Sequence, residues 1–131
     1  MLTITAIPAL EDNYIWLLQH ERHAVAVDPG EAAPVLDFLD RNGLQLDAIL
    51  CTHRHHDHVD GIEELRGVYN VPVHGRRHPK NPHITHDLRE EENHLKFHHS
   101  TLGVQRSMLD VRFSFCVQSS VSCVTLYLVR L

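Results

Sequence analysis

The sequence predicts an α/β fold in which a mixed sheet carries helices on its outer face, and three observations lead there. Period-two apolar patterns open the chain, the spacing turns helical after Glu31, and a cluster of metal-ligand residues stands where the fourth expected strand ends.

Each element follows from its residues. Leu2 to Ile7 alternates Leu2, Ile4, Ala6 with Thr3, Thr5, Ile7, which predicts a half-buried edge strand ended by Pro8. Glu11-Asp12-Asn13 carries turn chemistry, and Tyr14 to Leu18 is an apolar and aromatic run suited to a second strand. His20-Glu21-Arg22 reads as a hairpin connection to a third strand over Ala24 to Val27. Asp28-Pro29-Gly30 then makes a turn, with Pro fixing one backbone angle, Gly permitting a positive one, and Asp28 anchoring nearby amides. Ala32, Val35, Leu36 and Leu39 share one helical face, and Gly43 is placed to cap that helix over 32–42. Leu46 to Leu50 resumes a strand. Gly61 to Tyr69 predicts a short helix with Ile62, Leu65 and Val68 inward, and Val71 to His74 another short strand. Arg76 to His86 lacks an apolar period and reads as a loop, the acidic run Glu90-Glu91-Glu92 as a solvated face, and Leu102 to Val111 as strand-like. Beyond Arg112 come Phe113, Phe115, Val117, Val121, Cys123, Leu126 and Leu128 without a Gly, Pro, Asp or Asn to turn the chain, an unpaired β-prone tail with an aggregation hazard.

Composition narrows the function. The 131 residues are 43% hydrophobic and 22% charged, as expected of one soluble domain with a modest core. A net charge of -5, with its 12 Lys and Arg scattered, supplies no basic field, so no nucleic-acid partner is expected. The apolar tail is too short and too rich in Ser and Gln for a membrane span, so no membrane is expected either. Cys51, Cys116 and Cys123 are too few and too irregular for a disulfide framework, and the strand pattern begins directly after Met1 with no leader signature; a monomer in the cytoplasm is the expectation. Of 13 histidines, His20, His23, His74, His78, His83, His86, His94, His98 and His99 are dispersed and expected at the surface.

The remaining histidines are concentrated. Thr52-His53-Arg54-His55-His56-Asp57-His58 gives the order His-x-His-x-Asp-His, imidazoles and a carboxylate that suit zinc, iron or manganese. Neighbours such as Asp57 and His58 point apart on a tight turn, so two ions share the set more easily than one. His53 and His55 would serve one ion, Asp57 and His58 the second, with a water-derived hydroxide between them. His56 should point elsewhere.

Three segments in order extend the signal: Ile7-Pro8-Ala9-Leu10-Glu11-Asp12-Asn13-Tyr14-Ile15-Trp16, then Val27-Asp28-Pro29-Gly30, then Thr52 to His58 followed by Gly61. Together they resemble the glyoxalase II group, the hydroxyacylglutathione hydrolases, of the metallo-β-lactamase superfamily, over residues 1 to about 89 and thinly to Leu109-Asp110-Val111. The resemblance implies an αββα sandwich, two divalent metal ions, and hydrolysis of the small-molecule glutathione thioester S-D-lactoylglutathione to D-lactate and glutathione, a step of methylglyoxal detoxification. It also implies a Pro-Gly-His-Thr stretch after Val111, where Arg112-Phe113-Ser114 stands, together with a bridging aspartate, a further histidine and a C-terminal glutathione-binding domain that are not found here. The expected organisation is therefore an incomplete sandwich: residues 1–111 as the N-terminal part of the domain, with one sheet face left exposed, and 112–131 as a divergent tail of out-of-frame or alternatively spliced origin. Competing readings are a metal-binding fragment with no catalytic role, and a superfamily hydrolase acting on another substrate.

Overall fold

The computed structural model describes residues 2–52, 54–87, 109–118 and 121–130. The chain divides into two units, Met1–Asp87 and Leu88–Leu131. The first holds strands β1 (Leu2–Ala9), β2 (Asn13–His20), β3 (His23–Val27), β4 (Gln45–Leu50), β5 (Val73–Gly75) and β6 (His86–Asp87), with helices α1 (Ala33–Asn42), α2 (His56–Val59) and α3 (Ile62–Tyr69). They form one mixed sheet in sequence order, antiparallel through β1, β2 and β3 and parallel from β3 to β6. The sheet and its helices match the sequence expectation.

α1 and α3 both cover one face of this sheet. Ile7, Ile15, Leu17, Ala24, Ala26 and Ile49 from the strands meet Val35 and Leu39 of α1 and Ile62 and Leu65 of α3 in one buried cluster. Burying each large aliphatic side chain stabilises by about 1.5–3 kcal/mol, so this cluster is what fixes the helices to the sheet. α1 begins with Pro34 in its first turn, where a missing N–H costs nothing, and ends at Gly43 in the left-handed region, φ 61°.

Several details differ from the sequence reading. β1 does not stop at Pro8 but continues to Ala9, with Pro8 opposite Tyr14; as an edge strand, β1 can lose a donor on its open side. The positive backbone angle of the Asp28-Pro29-Gly30 turn falls on Asp28, φ 54°, not on the glycine. Val68 is 61% exposed instead of inward. At about 100° per residue it lies about 120° from Ile62, whereas Tyr69 lies about 20° away, and Tyr69 is the residue that packs on the core. The 76–86 loop ends in β6, two residues paired with β5. Among the dispersed histidines, His86 is exposed as expected, but His20, His23, His74, His78 and His83 are half-buried. The acidic run at 90–92, the residues 102–108 read as strand-like, and His94, His98 and His99 lie outside the described residues.

The sheet face away from the helices is only partly exposed. Leu18, Val25, Val27, Ala48 and Leu50 are buried, while toward the β1 edge Ile4, Tyr14 and Trp16 are 47%, 56% and 48% exposed. A register shift between Ala24 and Val25 leaves Asp47 as the extra residue of β4, and its carboxylate takes His23 Nδ1 at 2.8 Å. Burial raises the Asp47 pKa, against the opposing pull of His23.

The second unit contains β7 (Leu109–Gln118) and β8 (Val121–Arg130), which pair antiparallel from Leu109 opposite Arg130 to Gln118 opposite Val121. The tail expected to be unpaired thus forms two strands paired with each other. Its β-branched and aromatic residues supply strand propensity even though the sequence offers no standard turn signal.

On β5, His74 stands against its register partner His86, ring centroids 4.7 Å apart. Burial first, and then the neighbouring His86 charge, push the His74 pKa down to about 4. An unfolded imidazole titrates near 6.5, about the ordinary value, so between the two values the unfolded chain binds more protons. Stability is therefore expected to be full above about pH 6.5 and to fall as pH drops toward about 4. Urea midpoints should be lower at about pH 5 than at about pH 7.5, and His74→Phe should narrow that gap. A gap unchanged by the substitution would assign the acid sensitivity to other groups.

Candidate metal centre

The histidine-rich loop leaves the sheet at the C-terminal end of β4, the place where open α/β sheets gather their sites. Cys51 N–H donates to the His74 carbonyl at 2.8 Å, and Asp28 N–H to the Leu50 carbonyl at 2.9 Å, which fixes the strand end between its neighbours. The buried Asp28 then holds the first residue of the loop. Its Oδ1 accepts from Thr52 N–H at 2.7 Å, and its Oδ2 from the Thr52 hydroxyl. The anchoring role read for Asp28 is what the structure shows.

Two glycines let the α2 turn settle onto the 28–31 segment. A Cβ on Gly30 would stand 2.1 Å from the Asp57 carbonyl oxygen, and one on Gly61 2.6 Å from that of Pro29. Gly61 N–H donates to the same Pro29 carbonyl at 2.9 Å. Gly30 is thus required for close approach and not for a positive angle.

α2 places the predicted ligands differently. His55 is its extended N-cap residue and is exposed. His56 points into solvent and pairs with Asp60 at 3.1 Å. Asp57 and His58 are half-buried and converge, His58 Nε2 lying 3.2 Å from Asp57 Oδ2. The other ring nitrogen, Nδ1, lies 3.1 Å from Asp28 Oδ2. Burial works to lower the His58 pKa, but the carboxylates of Asp28 and Asp57 outweigh it and hold the imidazole above its ordinary value.

Of the four predicted ligands, the structure brings together Asp57 and His58; His55 does not complete a three-donor group with them, and His53 lies outside the described residues. No three His, Cys, Asp or Glu among the described residues are grouped to hold an ion. The converging pair nonetheless fits one. Donors about 2.0–2.2 Å from a tetrahedral ion stand about 3.3 Å apart, close to the 3.2 Å observed, a separation that equally serves a direct ion pair. Asp28 on the far nitrogen is the carboxylate partner that metal-binding histidines commonly have.

Asn13 was missed as a site residue. Read as part of a turn, it opens β2 and donates from Nδ2 to Asp57 Oδ2 at 2.9 Å and to the Asp57 carbonyl at 3.2 Å. Its contact is 44 residues away, so no local pattern reveals it; only its place in the first of the three segments singled it out.

Residues 10–117 match the metallo-beta-lactamase superfamily. The chain is 54% identical over 85 residues to the hydroxyacylglutathione hydrolase of Pseudomonas fluorescens, covering 63% of this chain and 33% of that protein. It is 42% identical over 111 residues to the hydroxyacylglutathione hydrolase of Nitrosomonas europaea, covering 85% and 41%. It therefore spans about a third to two fifths of the length of these relatives. The crystal structure of the B3 metallo-beta-lactamase BLEG-1 superposes with a TM-score of 0.71 at 23% identity, over 96% of this chain and 67% of that one. With the family match covering most of its residues and the fold superposing on a solved member, the chain belongs to the metallo-beta-lactamase superfamily.

Proposed function

We propose that the chain carries the metal-holding loop of a thioester hydrolase of the hydroxyacylglutathione type, whose substrate is S-D-lactoylglutathione and whose products are D-lactate and glutathione. The observation that carries this reading is the convergence of Asp57 and His58 at 3.2 Å, with Asp28 behind the imidazole. The relatives' shared name supplies the substrate class. His53, His55, Asp57 and His58 would hold two divalent ions, zinc or else iron or manganese, which when bound polarise the thioester carbonyl and lower the pKa of a bound water. Asp28 orients His58, Asn13 orients Asp57, and the thiolate leaving group needs no strong general acid from the protein. The reading includes a small-molecule partner and a cytoplasmic monomer.

A second reading, a metal-binding chain with no turnover of its own, is favoured by Arg112-Phe113-Ser114 standing where the resemblance implies a Pro-Gly-His-Thr stretch. Zinc or iron loading, followed by assay on S-D-lactoylglutathione beside His55→Ala, separates the two. We expect metal uptake that His55→Ala weakens by about 10–100-fold or more, with turnover low but above that variant. Metal uptake with equal thioester background in both proteins would favour the second reading. A chain that takes up no metal would overturn both.

A further inference from the structure

The far strands of the sheet carry a pair of imidazoles outside the histidine-rich loop. His74 of β5 and His86 of β6 are register partners on parallel strands, and their ring centroids lie 4.7 Å apart with the planes tilted by 31°. The backbone is held firmly on both sides of them. Thr85, next to His86, accepts from Val73 N–H at 2.8 Å through its Oγ1, and its own N–H donates to the Val73 carbonyl at 3.0 Å. From the β4 side, Cys51 N–H donates to the His74 carbonyl at 2.8 Å.

Thr85 also decides which nitrogen of His86 can take a ligand. Its Oγ1 lies 2.8 Å from His86 Nδ1 and donates its one proton to the Val73 carbonyl at 3.2 Å. With that proton committed, the oxygen accepts Nδ1–H, and the lone pair of the exposed His86 ring is on Nε2. A histidine whose second nitrogen is tied in this way is the form that commonly binds a metal. Burial, and then the neighbouring His86, push the His74 pKa down to about 4, so near neutral pH this ring is uncharged, as a ligand must be. Two nitrogens on one tetrahedral ion stand about 3.3 Å apart. Rings with centroids 4.7 Å apart reach that spacing by a tilt of the exposed His86. As a plain packing contact the pair is unfavourable in acid, because charge on one ring opposes charge on the other; an ion between them makes the same proximity stabilising.

We propose that His74 and His86 form a second metal site, separate from the histidine-rich loop, for a divalent cation that favours imidazole, such as zinc(II), nickel(II) or copper(II). No three donors are grouped among the described residues, so water completes the coordination. The site does not depend on the function proposed above. Calorimetric titration of the full chain with zinc(II) tests it. One binding event of the wild type should weaken about tenfold or more in His86→Gln and in His74→Phe, yet persist in His55→Ala. In NMR spectra the ring signals of His74 and His86 should shift together during that event. Because His86 is exposed, the glutamine variant should melt like the wild type without metal. If His74→Phe does not fold, the ring shifts carry the test of His74. Equal zinc affinity in wild type and His86→Gln would overturn the site. An event lost from His86→Gln but kept in His74→Phe would overturn the pairing, and one lost from His55→Ala as well would overturn a separate site. Zinc taken up by the pair and not by the loop would support this site while overturning the metal role of the loop.

Discussion

Gly30→Ala is expected to destabilise the first unit by about 3 kcal/mol or more and to abolish metal binding together with it. The added methyl would meet the Asp57 carbonyl oxygen at 2.1 Å, and neither partner is a flexible side chain that can swing away. Relief requires moving either the 28–31 turn or α2. The turn is tied down by Gly30 N–H on the Asp28 carbonyl and by Gly61 N–H on the Pro29 carbonyl, both at 2.9 Å. Any shift of α2 displaces Asp57 and His58, so stability and metal affinity should fail in one variant. Urea denaturation and a zinc titration measure the two; Gly67→Ala is the control, because a Cβ there meets nothing within 4 Å. A Gly30 variant as stable as that control would show that the contact relaxes without cost.

Asp28→Ala is expected to cost about 3–5 kcal/mol, as for a buried charge network that loses one member. It strands Thr52 N–H and hydroxyl, removes the carboxylate beside His58 Nδ1, and places alanine at a φ of 54°, which aspartate tolerates better. Asp28→Asn separates these effects. Its amide oxygen can still accept from Thr52 and its conformation is allowed, so much of the stability should return, while the lost charge behind His58 should leave metal affinity about 10–100-fold down. Equal metal affinity in wild type and Asp28→Asn would mean that the imidazole is held in place by packing alone.

How much of this was readable in advance depends on the range of each interaction. Strands β1 to β4 and both longer helices were legible because their apolar periods are local, and Gly43 because a helix end demands a left-handed residue. The histidine-rich loop was legible as a composition and a place. Its internal geometry was not. Asn13 reaches Asp57 across 44 residues and Asp28 reaches Thr52 across 24, and these contacts decide which donors converge. Gly30 illustrates the same limit: the glycine was visible, but its purpose lies in the tertiary contact with Asp57. Val68 was misplaced because Ile62 and Leu65 can share a helical face with either Val68 or Tyr69, and the choice between them was made by the sheet. β6 was missed because two residues carry no period at all.

The half-exposed Trp16 on the outer strands has a spectroscopic consequence. It is the only tryptophan in the chain, and it stands beside Tyr14 with ring centroids 6.3 Å apart, away from the cluster that fixes the helices. Tryptophan fluorescence therefore reports on the β1–β2 surface and not on the core. Its indole is already partly hydrated when folded, so unfolding exposes less additional ring surface than it would for a core tryptophan. Anything that covers that face would remove water from the indole and register in its emission.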